Sequence, residues 1–146
     1  MYFKGTYEHT MDVKGRIFIP AKFREGLGEE FVICKGFFEP CLYIYSNEEF
    51  QNLSDKLDSL PFANKDAMRL QRELYANASD VTVDKQGRIL IPAPLRDYAR
   101  LEREAVVLGV RTHVEIWDLE LWKQEREQSP GIESFTENLR KQGVML

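Results

Sequence analysis

The chain is poor in the residues that mark several common functions. Two cysteines and two histidines among 146 residues are too few and too scattered for a zinc site of paired ligands. Cys34 and Cys41 read as buried free thiols of a reducing compartment rather than as a disulfide. No run approaches the ~20 apolar residues of a membrane span. The opening MYFKGTYEHT has no signal-peptide apolar core, so a cytoplasmic location is expected and no membrane partner. Nor is there a Gly-x-Ser-x-Gly elbow, a Gly-rich phosphate loop ahead of a helix, or a nucleophile set beside a base. No catalytic residue, metal, cofactor or small-molecule substrate is expected. An excess of positive charge is missing as well. The net charge of −4 and a pI near 5.3 argue against indiscriminate binding to nucleic acid.

What the chain does have is a repeat. Residues 10–24, TMDVKGRIFIPAKFR, return at residues 82–96 as TVDKQGRILIPAPLR, with nine of fifteen positions identical at an offset of 72. A shared core accounts for the repeated isoleucines but not for an acid, a glycine and an arginine kept in a turn. The offset persists from Ile44–Phe50 to Ile116–Trp122, and Gly36 aligns with Gly109 at 73. Cys34 then corresponds to Val106, and Cys41 roughly to Val114, apolar residues in the same place. A half of about 70 residues buries a marginal core on its own, so two copies are expected to share one around a pseudo-twofold axis.

Each copy reads as strand, turn, strand, short helix, hairpin and helix. Gly5 to Met11 is strand-like and Asp12–Gly15 is a turn: aspartate bonds its own downstream amides, and glycine accepts positive φ. Arg16 to Ile19 is a strand ended by Pro20, which opens a helix from Ala21 to Leu27. Phe31–Lys35 and Cys41–Tyr45 form a hairpin, and Ser46 or Asn47 caps a helix with Phe50, Leu53, Leu57 and Leu60 on one face. The plan recurs from Val81 to a helix over 119–128 capped by Asp118. The expected divisions are a first repeat at 1–62, a linker helix at 63–76, a second repeat at 77–128 and a C-terminal helical tail at 129–146. The linker helix has no counterpart 72 residues earlier. The tail carries Phe135 and Leu139 on one side, a natural element for assembly.

The acidic total hides an uneven distribution. Residues 1–24 carry Lys4, Lys14, Arg16, Lys22 and Arg24 against Glu8 and Asp12 alone, whereas residues 25–79 carry ten acids against five bases. Positive charge therefore gathers near the repeated turns. An arginine just after a tight turn presents a planar, permanently charged fork that suits phosphate oxygens or a guanine edge. Arg16 and Arg88 are the candidate DNA contacts, with Lys14, Lys85 and Lys4 as supporting charge and Gly15 and Gly87 allowing close backbone approach to a phosphate. The competing reading is that each arginine merely pins its own hairpin. Asp12 and Asp84 are expected to organise the turns, and Arg24 and Arg96 to pair with nearby acids. His9 reads as a packing residue.

The pair of motifs, His9 to Arg24 (HTMDVKGRIFIPAKFR) and Asp84 to Pro92 (DKQGRILIP), resembles the MraZ family of the AbrB-like swapped-hairpin superfamily. The resemblance covers residues 1–128 well. It implies an α+β fold, a tandem duplicated swapped-hairpin β-barrel with peripheral helices. It also implies a ring-like homo-oligomer that binds double-stranded DNA at repeated promoter elements of the division and cell-wall gene cluster, in the cytoplasm at the nucleoid. The alternative from the residues is a self-assembling ring scaffold that binds a protein partner, which the acidic net charge favours.

Overall fold

Asp12 and Asp84 each open the turn that follows a strand, and around them the chain runs twice through one order of elements. The structure is a computed structural model that describes residues 2–146. The first half comprises β1 (Thr6–Thr10), β2 (Arg16–Phe18), α1 (Ala21–Leu27), β3 (Glu30–Lys35), β4 (Leu42–Ser46), α2 (Asn47–Leu57) and α3 (Lys65–Asn77). The second comprises β5 (Ser79–Thr82), β6 (Arg88–Leu90), α4 (Ala93–Tyr98), β7 (Glu104–Val110), β8 (His113–Asp118), α5 (Leu119–Gln128) and α6 (Ile132–Lys141). Residue 1 of the expected first repeat lies outside the described residues. The helices after each hairpin are capped as their sequences require: Ser46 Oγ accepts from the Glu49 amide, Asn64 Oδ1 from Ala67 and Asp118 Oδ2 from Leu121.

The linker helix and the tail helix hold the same place in the two halves. α3 and α6 each close a ββαββαα series. The fixed offset hid this, because their starts lie 67 residues apart. The connection before α6, residues 129–131, is shorter than its counterpart at residues 58–64.

Strand pairing shows how the halves interlock. A six-stranded antiparallel sheet has the order β1-β7-β8-β4-β3-β5, and β2 pairs with β6 in a separate ribbon. Each half's first strand thus borders the other half's hairpin. In the ribbon Ile17 faces Ile89, and at the centre of the sheet Tyr43 faces Glu115. Both pairs join a residue to its own copy 72 positions on, so the pseudo-twofold axis passes through them. This is a duplicated swapped-hairpin fold.

Neither half has a private core. Between the large sheet and the ribbon, Ile17, Ile19 and Phe23 meet Ile89, Ile91 and Leu95, all essentially inaccessible. Each such side chain contributes ~1.5–3 kcal/mol on burial. On the other face, Tyr43, Tyr45, Leu57, Leu74 and Trp117 form a second cluster beneath the later helices. Cys34 and Cys41 lie in it as free thiols, and burial pushes Cys34 up to about 12 and Cys41 higher still. The registers correct two alignments: Cys34 faces Tyr43 and Leu108 faces Glu115, so the counterpart of Cys34 is Leu108 rather than Val106, and Lys35 faces Leu42 as Gly109 faces Val114, so the counterpart of Gly109 is Lys35 rather than Gly36. The hairpin loop of residues 36–41 is longer than that of residues 111–112, which shifts the local offset.

Candidate nucleic-acid interface

Each repeated turn is organised by its aspartate. Asp12 Oδ1 accepts from the amides of Lys14 at 3.0 Å and Arg16 at 2.9 Å, while Asp84 Oδ1 accepts from Gln86 and Arg88, both at 2.9 Å. The other carboxylate oxygen takes the arginine: Arg16 Nε donates to Asp12 Oδ2 at 2.6 Å and Arg88 Nε to Asp84 Oδ2 at 3.0 Å. The two turns also meet, because Arg88 Nη1 lies 3.6 Å from Asp12 Oδ2. Asp12 is therefore shared between the halves. The Arg16 amide holds the Asp12 carboxyl below the usual carboxylate range, against a smaller cost of desolvation, with the Arg16 side chain and the Lys14 amide adding to it. Asp84 is lowered likewise, first by the Arg88 amide. These pairs are partly solvated, so their main effect is to fix where each guanidinium points.

Among the described residues, Arg24 and Arg96 pair with no acid. Each crosses to the turn of the opposite half. A Cβ on Gly15 would sit 2.7 Å from the Arg96 guanidinium, and one on Gly87 would sit 2.7 Å from the Phe18 ring and 3.2 Å from the Arg24 guanidinium. Arg24 also donates from Nε to the Ile19 carbonyl at 3.0 Å and lies over Phe18, whereas the buried Nε of Arg96 has no partner among the described residues. The space that glycine leaves is thus filled from within. Gly15 and Gly87 are buried, and their backbones do not lie open to a phosphate. Both have positive φ, +90° and +84°. Gly15→Ala adds the clash with Arg96 to a backbone strain of roughly 1–3 kcal/mol, and a lowered melting temperature in thermal denaturation is the expected result.

The structure brings Asp12, Lys14, Arg16, Asp84, Lys85 and Arg88 to one pair of turns, with both lysines exposed. It does not bring Lys4 there. Lys4 precedes β1 and its backbone packs on Gly109, up to roughly 25 Å along the strand from Asp12. Lys22 lines a cavity with Lys4 and Glu25, so it too lends no charge to the turn. A feature that composition did not single out is Val13, fully exposed at the tip of the first turn. Its counterpart 72 positions on is Lys85, so the two tips differ in chemistry. His9 packs edge-on to Phe18 at 5.1 Å, and burial lowers its pKa.

Fold and turns together define a class: a single-chain, duplicated swapped-hairpin protein of AbrB type that presents paired Gly-Arg turns. Comparison with known proteins narrows the class. The family described as "MraZ protein, putative antitoxin-like" matches twice, over residues 2–73 and 74–143. A protein of Acetivibrio thermocellus called transcriptional regulator MraZ is 48% identical over 97% of this chain and 99% of its own length. Proteins of the same name from a Thermoanaerobacter species and from Carboxydothermus hydrogenoformans are 52% and 50% identical, each over 82% of this chain and 83% of their own length. The chain belongs to the MraZ family. The name those relatives share places the family among regulators of transcription.

Proposed function

We propose that this chain is a sequence-specific DNA-binding regulator that acts as a ring-like homo-oligomer on repeated promoter elements of the division and cell-wall gene cluster. The observation that carries the reading is the pair of arginine-bearing turns set side by side and joined through Asp12 and Arg88. Arg16 donates only from Nε, so among the described residues its terminal nitrogens remain free for a phosphate or the O6/N7 edge of guanine. Lys14 and Lys85 add phosphate contacts beside it. So small a patch on an acidic chain binds weakly alone. Several patches on one assembly engaging several repeats raise avidity by ~10²–10⁴ without new chemistry. A gel shift with the upstream region of its own operon tests this. The intact region is retarded, and the same region with scrambled repeats is not. Equal retardation of both leaves only charge-driven binding, and none with either favours a scaffold for a protein partner.

Asp12→Ala separates a turn organiser from a DNA contact. As an organiser, Asp12 leaves two amides and a guanidinium without their acceptor when removed, so melting temperature and DNA affinity fall together. As a carboxylate facing phosphate it opposes binding, and its removal strengthens the shift with no change in melting. The pH dependence follows from the lowered carboxyls of Asp12 and Asp84. Their stabilisation is complete above the unfolded-chain pKa of about 3.9 and is lost as pH falls through the lower folded value. Wild type therefore loses more melting temperature on acidification through that window than the Asp12→Ala protein does.

A further inference from the structure

The tip of the first turn carries a side chain that turn chemistry does not require. The Gly15 amide donates to the Asp12 carbonyl at 3.0 Å and closes a β-turn with Val13 and Lys14 at its centre. Glycine, proline, asparagine and serine suit such positions through their backbone or their hydrogen bonds, and valine offers neither. Nor does Val13 serve the core, since it is fully exposed. A single apolar residue on a surface is ordinary. This one stands between Asp12 and Lys14, three residues from Arg16, on the turn that meets DNA in the proposed function. Its counterpart in the second turn, Lys85, is a cation.

A second apolar side chain stands beside Arg16. Ile17 and Ile89 face inward from the ribbon, so the next pair across it, Arg16 and Leu90, faces outward together. Leu90 is 56% exposed. Across the pseudo-twofold axis the same place is held by Phe18, opposite Arg88, and it is covered: His9 packs against its ring and the Arg24 guanidinium lies over it. Arg16 is thus flanked by exposed Val13 and Leu90, whereas Arg88 has Lys85 and a covered Phe18.

A two-stranded ribbon fits the major groove of B-DNA, ~12 Å wide, and not the minor groove at ~6 Å. On the base edges of the major groove the apolar group is the thymine 5-methyl, and a valine gains nothing from a phosphate. The turn also holds Val13 ready for it. The Asp12 carboxylate fixes the amides of Lys14 and Arg16 at 3.0 and 2.9 Å, and a β-branched side chain has little rotamer freedom to lose on contact. We infer that Val13 packs on the 5-methyl group of a thymine in the major groove, beside the group that Arg16 takes, and so sets a base preference for the first turn. Lys85 puts a phosphate contact in the same place on the second. The inference rests on the DNA-binding part of the proposed function and names a base that one turn reads.

The test is a gel-shift titration of the full chain on two versions of a fragment carrying two repeated elements from the upstream region of its own operon. One is native; in the other every thymine of the elements is replaced by deoxyuridine, which lacks only the 5-methyl. Burial of one methyl changes affinity about fourfold. Wild type should therefore bind the deoxyuridine fragment about fourfold more weakly for each element engaged. Val13→Ala should bind the native fragment as weakly as that and make no distinction between the two. Val13 is fully exposed, so the fold is unaffected. Lys85→Ala should weaken binding to both fragments and keep the wild-type ratio between them. The inference is overturned if wild type binds both fragments equally, if Val13→Ala keeps the wild-type ratio, or if Lys85→Ala loses it. Wild type that shifts neither fragment overturns the DNA reading and this inference together, whereas equal shifts of both overturn this inference alone.

Discussion

Arg16→Ala is expected to weaken binding of promoter DNA by roughly tenfold or more for each patch, the range for losing an arginine contact to a base edge or phosphate. Fold and assembled mass should not change. Arg16 is partly exposed, 34% by side chain, and among the described residues its side chain bonds only Asp12, which keeps its two amide bonds without the guanidinium. Because an assembly multiplies the patch, the loss on a multi-repeat fragment should exceed the loss on a single repeat. Arg88→Ala should act in the same direction and less strongly. Its Nη1 is already drawn towards Asp12, and its turn has Gln86 where the first has Lys14. The measurement is a gel-shift titration of both variants beside wild type, with mass checked on the same samples. Wild-type affinity in a folded, fully assembled Arg16→Ala protein would falsify the assignment, and an equal or larger loss at Arg88 reverses the ranking of the halves.

The parts of this interface that were legible in the sequence are those with local causes. An aspartate two and four residues ahead of the amides it accepts, and a glycine at positive φ, are consequences of short-range turn chemistry, and both turns follow it. Helix caps and the strand–turn–strand order were readable for the same reason. What crosses the pseudo-twofold axis was not. Nothing near Arg24 or Arg96 in the chain announces that each guanidinium fills the hollow beside the other half's glycine, so nearby acids were the natural partners to assume. Lys4 and Lys22 were grouped with the turn by sequence distance. An extended strand carries its two ends apart, and Lys4 lies with Lys22 at the far one. The kinship of α3 and α6 escaped for a different reason. A fixed offset cannot follow a loop that changes length, while the order of elements can.

Affinity should rise steeply with the number of repeated elements in a DNA fragment and collapse when their spacing changes by half a helical turn. The cause is geometric. The turns sit on an interlocked core in which each half completes the other, so a patch cannot swivel to follow a displaced element. Copies joined by fixed contacts then face set directions, and an insertion of about five base pairs carries the next recognition edge to the far side of a duplex that turns once in about 10.5. A flexible tether tolerates that rotation, and so does charge-driven binding, because both depend on local concentration or phosphate count rather than on phase. The experiment compares fragments with one, two and three repeats and a three-repeat fragment with five base pairs inserted between elements. Salt is held constant throughout, since phosphate contacts weaken as salt rises. The inserted fragment should bind no better than a single repeat, a fall on the order of the 10²–10⁴ that linked contacts supply. If all four bind alike, phase plays no part, and the acidic chain is better read as a scaffold whose partner is a protein.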